Sequence, residues 1–151
     1  MRQRSLEAVG FERYRKKTRK EMFLEKMDEL IPWKELAVAI EPFYPKPDGA
    51  GRRPIGIERM LRIYFLQHWF QLSDPGAEEA LYDSRALRAF AGIDLGNEAV
   101  PDESTILKFR HLLEQNDLGE QLFVLTNCYL EENGFKVSKG TIVDATILDA
   151  P

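Results

Sequence analysis

The stretch 57–72 constrains the fold more than any other. Met60, Leu61, Tyr64, Phe65, Leu66, Trp69 and Phe70 recur there at helical spacing, and the resulting apolar arc is too wide for a helix that buries a single narrow stripe. Such a helix has to be wrapped by others. The chain is therefore expected to be mostly α, with this helix at its centre and helices near 18–31 and 102–115 covering it. Trp69 is expected to pack in the core and not to serve as a platform for stacking bases.

Local signals place the surrounding helices. Thr18 and Glu21 have capping-box spacing, and Met22, Phe23, Met27, Leu30 and Ile31 follow, which predicts a helix over 18–31. Pro32 suits the first turn of a second helix through Ile40, with Trp33, Leu36, Ala37 and Ile40 on one face. Pro42, Pro45, Pro47, Gly49 and Gly51 make 42–54 a loop, ending in Arg52, Arg53 and Pro54. Ser73 before Asp74 and Pro75 reads as a cap for a short helix to about Tyr82, and Asp83 or Ser84 caps another that Gly92 terminates. After a loop over 93–101, Asp102 caps a helix to about Gln115, with Ile106, Phe109, Leu112 and Leu113 inward and Ser104, Lys108, His111 and Gln115 outward. A last helix over 116–133 is closed by Gly134.

Charge is distributed unevenly. The chain carries a net charge of -4, yet residues 1–20 hold eight basic side chains against Glu7 and Glu12, a net +6, which leaves -10 on the remainder. A basic arm before an acidic body suits a nucleic-acid partner, because phosphate neutralisation is the main sequence-independent source of such affinity. A solvated terminus without a partner has the same composition. One cysteine, Cys128, excludes an internal disulfide, and with His68 and His111 alone beside it no Cys/His zinc site can form. Cys128 is expected in the core. No apolar run approaches the roughly 18 residues of a membrane span, and the basic N-terminus lacks the apolar segment of a signal peptide, so the expectation is a cytoplasmic protein with no membrane partner.

Two segments carry functional chemistry. In the first, a helix, a loop and a second helix over 84–115 resemble a groove-reading arrangement, but the loop of about ten residues far exceeds the three or four of a helix-turn-helix. Lys108, Arg110 and His111 could meet phosphates or form a solvated face. In the second, Thr141, Ile142, Val143, Asp144, Ala145, Thr146, Ile147 and Leu148 form a β-branched strand with a carboxylate in its middle. Asp is depleted in such runs because it resists desolvation. Either Asp144 faces water on an edge strand, or it is a metal ligand.

The ordered blocks Arg52-Arg53-Pro54-Ile55-Gly56, Leu72-Ser73-Asp74-Pro75, Glu78-Glu79-Ala80-Leu81, Phe90-Ala91-Gly92, Pro101-Asp102-Glu103-Ser104-Thr105 and Phe109-Arg110 resemble the N-terminal half of bacterial insertion-sequence transposases of the DDE class. The resemblance runs from about Phe11 to Pro151. It implies a basic, flexible arm over 1–17, a helical DNA-binding and assembly domain over 18–134, and over 135–151 the first strand of a truncated ribonuclease-H-like α/β domain. Asp144 then matches the first catalytic, metal-binding carboxylate. Two Mg²⁺ or Mn²⁺ ions about 4 Å apart would serve the complete enzyme in phosphodiester cleavage and strand transfer, and hard carboxylate oxygens suit them.

The second Asp and the Glu of the triad have no match in these 151 residues, since Asp117, Glu131 and Glu132 sit at helix ends. The chain alone is thus expected to be inactive and not to hold the metal stably, as a truncated or frameshifted product or as the first part of a transposase completed elsewhere. The implied function is binding of insertion-sequence ends in DNA transposition and recombination. Terminal inverted repeats are the expected partner, with a second copy or full-length transposase as protein partners. Arg13, Arg15, Lys16, Lys17, Arg52, Arg53, Lys108 and Arg110 are the expected DNA contacts. The alternative is a non-catalytic helical module that pairs with full-length transposase and regulates it, and a nuclease of the same catalytic fold is a third reading.

Overall fold

The computed structural model describes residues 14–46 and 54–135. Among them lie seven α-helices and one 3-10 turn, with no strand: α1 (Arg19–Leu30), α2 (Trp33–Ile40), the turn Glu41–Phe43, α3 (Ile57–Phe70), α4 (Asp74–Asp83), α5 (Arg85–Ala91), α6 (Glu103–Gln115) and α7 (Leu118–Glu132). The expected strand over 141–148 and most of the loop around Arg52 and Arg53 lie outside the described residues.

Side-chain caps fix the N-termini of four of the seven helices. Thr18 Oγ1 accepts from the Glu21 amide at 3.1 Å, Ser73 Oγ from Gly76 at 3.0 Å, Ser84 Oγ from Leu87 at 3.2 Å and Asp102 Oδ1 from Thr105 at 2.8 Å. Each satisfies one amide that the first helical turn leaves without a partner. The box at Thr18 is half formed, because the Glu21 carboxylate turns to Arg15 instead. Pro32 occupies the N-cap of α2, one residue before its expected place. Gly92 closes α5 at φ +75°, where a Cβ would be strained.

The central helix is α3, which buries Met60, Leu61, Ile63, Phe65, Leu66, Gln67 and Trp69. Its cover comes from more helices than the sequence suggests. Trp33 of α2 meets Phe65 edge to face at 5.2 Å, Phe123 of α7 lies 4.9 Å from Phe65, and Phe109 of α6 meets Tyr64 at 6.3 Å. Trp69 is only 7% exposed and sits between Phe23 of α1 at 5.1 Å and Phe90 of α5 at 5.6 Å. Short α5 thus takes the place over Trp69 that α6 was expected to share. Tyr44 donates to the Ile55 carbonyl and packs on Phe109, bringing the two ends of the 45–54 loop together.

Two apolar expectations reverse. Met22 is exposed because α1 turns Phe23, Leu24 and Met27 inward. Cys128 is exposed because α7 buries Leu118, Leu122, Thr126, Asn127 and Leu130, which leaves position 128 on the opposite side. No helix among the described residues is long and apolar enough to cross a membrane.

Candidate nucleic-acid interface

Four arginines of the helical body, Arg59, Arg62, Arg88 and Arg110, are spent inside it. Arg62, with a side chain 14% exposed, donates to the Phe90 carbonyl at 2.9 Å and pairs with Asp28 at 2.6 Å and Glu58 at 3.1 Å. Its guanidinium also lies over the Trp33 and Phe90 rings at 4.6 and 5.0 Å, a geometry that planar, weakly hydrated arginine favours. Arg59 binds Glu98 and the Gly92 carbonyl, which ties α3 to the loop after α5. Arg88 donates to the Leu81 and Tyr82 carbonyls at 3.0 and 2.6 Å, closing the end of α4.

Arg110 makes a two-point pair with Asp74, Nε to Oδ1 at 2.8 Å and Nη2 to Oδ2 at 2.7 Å, and reaches Glu114 at 3.2 Å. Gln67 adds a donor to Asp74 Oδ1 at 2.9 Å. The Arg110 guanidinium, then burial acting in the opposite sense, then Gln67 set the Asp74 acidity, and the net effect holds its carboxyl below the usual carboxylate range. His68 lies against Tyr64 and Phe123, each ring 4.6 Å away. Burial first, and the Arg110 charge second, lower its pKa and keep the imidazole neutral near pH 7. It is thus no phosphate cation.

A different set of cations faces water. Residues 14–20 are all exposed, so Arg15, Lys16, Lys17, Arg19 and Lys20 form a continuous basic segment entering α1. Arg15 pairs with Glu21 and Lys17 with Glu25 at 3.0 Å; Lys20 lies 5.0 Å from the Phe70 ring centroid. The segment meets the end of α1 where free amides and the helix dipole favour an anion. Arg85, in the first turn of α5, adds a cation here that the sequence did not single out. It borders, with Arg15, Glu21, Glu25 and Asp28, a cavity of about 310 Å³ floored by Leu24, Ala86, Ala89 and Phe90. Nothing in the sequence pairs positions 15 and 85; the packing of α1 on α5 does.

Of the expected DNA contacts, Arg15, Lys16 and Lys17 are brought together in this segment. Lys108 lies exposed on the outward side of α6, with Ser104, His111 and Gln115. Arg110, on the same helix, is engaged by Asp74 and Glu114. Arg13, Arg52, Arg53 and Asp144 lie outside the described residues. No three His, Cys, Asp or Glu side chains among the described residues are placed to hold a metal ion, so these residues do not fit a divalent-ion site and no chemical step is assigned to them. Asp102 serves as the α6 cap, the role its sequence context suggests.

No solved structure matches the chain. A family model described as a transposase domain (DUF772) matches residues 11–112, a span that takes in the basic segment, α1 through α5, the carboxylate ties of Arg59 and Arg62, the Arg110–Asp74 pair and most of α6. That match covers more than half of the 151 residues, and the chain belongs to the transposase-domain family.

Proposed function

We propose that the helical domain binds the ends of an insertion sequence as the N-terminal part of a DDE-class transposase, with the basic arm as its main phosphate-contacting element. The observation that carries this reading is the division of the cations. Four arginines of the body, Arg59, Arg62, Arg88 and Arg110, are held by carboxylates and carbonyls, and its exposed cations such as Lys26, Lys34, Arg85 and Lys108 are scattered, whereas residues 15–20 gather five exposed cations at the positive end of α1. The pairs Arg15–Glu21 and Lys17–Glu25 do not oppose it. Exposed ion pairs contribute only about 0–1 kcal/mol, so a phosphate can replace either carboxylate.

In this reading Arg13, Arg15, Lys16, Lys17, Arg52, Arg53 and Lys108 contact the backbone of terminal inverted repeats. Arg110 joins them only through its Glu114 edge, because its other edge stays on Asp74. Asp144 is the first catalytic carboxylate, and Mg²⁺ or Mn²⁺ in the complete enzyme would polarise the scissile phosphate. A second copy or a full-length transposase is the protein partner that pairing two DNA ends requires.

The test is incubation of the purified 151-residue chain with terminal-repeat duplex and with scrambled duplex, in Mg²⁺ and in Mn²⁺. We expect preferential binding of the repeat and no strand cleavage, because one carboxylate cannot hold two ions. Equal affinity for both duplexes would remove end recognition. Metal-dependent nicking abolished by Asp144→Ala would show that a complete site exists in this chain.

A further inference from the structure

The outward side of α7 carries an apolar stripe that the seven helices do not cover. Gln121, Val124, Leu125 and Cys128 recur at spacings of three, one and three, which places them on one side of the helix. Val124 is 51% and Leu125 43% exposed, and Cys128 is exposed as well. Val38 of α2, the helix packed beside α7, is 63% exposed. The rim of the stripe is acidic, with Glu120, Glu131 and Glu132 exposed and no Lys or Arg anywhere in α7.

We infer that this stripe is the docking surface for residues 141–148 of the same chain. Three observations favour that occupant over a second copy. The first is charge. Two α7 helices facing each other would set Glu120, Glu131 and Glu132 against their like, whereas residues 136–140 bring Lys136 and Lys139 and no acid to the helix end. The second is chain path. Gly134, at φ +87°, ends α7 in a turn in which the Phe135 amide donates to the Leu130 carbonyl at 2.9 Å, and Phe135 packs back against the core. From there the five residues 136–140 reach about 17 Å when extended. The return from Phe135 to Cys128, the near end of the stripe, is seven residues of helical rise, about 10 Å at 1.5 Å each, so the linker can bring Thr141 to Cys128 and leave the residues after it to run along the stripe toward Val124.

The third is apolar content. Thr141, Val143, Ala145 and Ile147 alternate along the segment and carry no charge, so one side of a strand there can cover Val124, Leu125 and Cys128 without burying Asp144, which belongs to the opposite set. Docking by this set would give the segment a helical base to lie on. The contact joins the helical domain to the residues after 135 and does not depend on DNA binding.

Cys128 makes the inference measurable, since it is the one thiol of the chain and lies on the stripe. In the full chain it should react with a maleimide at least about tenfold more slowly than in a Val143→Asp, Ile147→Asp double variant, because covered thiols react through local opening. A second measurement does not rely on that variant. Ala145→Cys, treated with a short bismaleimide, should link to Cys128 within one chain and migrate as a monomer. Equal thiol reactivity in parent and double variant, or absence of the intrachain link, would overturn the inference. So would a link between two chains, which would assign the stripe to a second copy.

Discussion

Lys108 and Arg110 lie two residues apart on α6 and have opposite situations. Lys108 is exposed and makes no ion pair among the described residues, whereas Arg110 is anchored to Asp74 by two bonds. Lys108→Ala should therefore lower DNA affinity without changing the melting temperature. Arg110→Ala should destabilise by about 1–3 kcal/mol, because hydrogen bonds to a charged partner disappear and the half-buried Asp74 is left short of donors. Parallel melts and binding isotherms of the two variants check this, and an Arg110→Ala protein that melts like the parent would contradict it. The same cluster sets a pH dependence. His68 and Asp74 both have folded pKa values below their ordinary ones, so the unfolded chain takes up protons more readily at each site. Their stabilisation is complete above pH 6.5 for His68 and above 3.8 for Asp74, and is lost as the pH falls below each value. Denaturation midpoints should thus fall in two stages on acidification and should fall less in His68→Phe between about pH 6.5 and 5; a midpoint independent of pH in parent and variant alike would contradict the assignment.

At the scale of elements, α3 organises the domain, and Trp69 is its buried junction with α1 and α5. Truncating a large aromatic in such a site costs about 3–5 kcal/mol. Trp69→Ala should accordingly unfold the domain before it alters recognition, and a variant that melts normally but fails to bind DNA would move Trp69 to the nucleic-acid surface. What was legible in the sequence was local. Ser73, Ser84, Asp102 and Gly92 act within one helical turn, so caps and stops placed α4, α5 and α6 to within a residue or two. The central role of α3 was legible from its apolar arc. Tertiary partners were not. Asp74 and Arg110 are 36 positions apart, and Phe90 reaches Trp69 because Gly92 and Arg62 fix how α5 lies on α3. Cys128 and Met22 show the same limit, since an apolar residue beside the buried stripe reads like one inside it until neighbouring helices decide which side is covered. The candidate site divides likewise. The basic segment was visible as charge alone, while the withdrawal of Arg59, Arg62 and Arg88 into internal ties, and the approach of Arg85 to Arg15, required the fold.

For the whole molecule, the result of this division is an acidic body whose densest run of accessible positive charge among the described residues lies at the start of α1. Residues 1–20 carry a net +6 against -10 for the rest, so in the proposed reading the arm supplies most of the attraction for DNA. That claim is tested most directly by the salt dependence of binding to a terminal-repeat duplex, measured for the full chain and for a protein lacking residues 1–17, with circular dichroism to confirm that both keep their helices. The deletion removes Arg2, Arg4, Arg13, Arg15, Lys16 and Lys17. The slope of log affinity against log salt should become shallower by up to about 0.9 for each phosphate that the shortened protein no longer neutralises, with weaker binding at every salt concentration. An unchanged slope and affinity in the shortened, folded protein would show that the arm does not touch DNA.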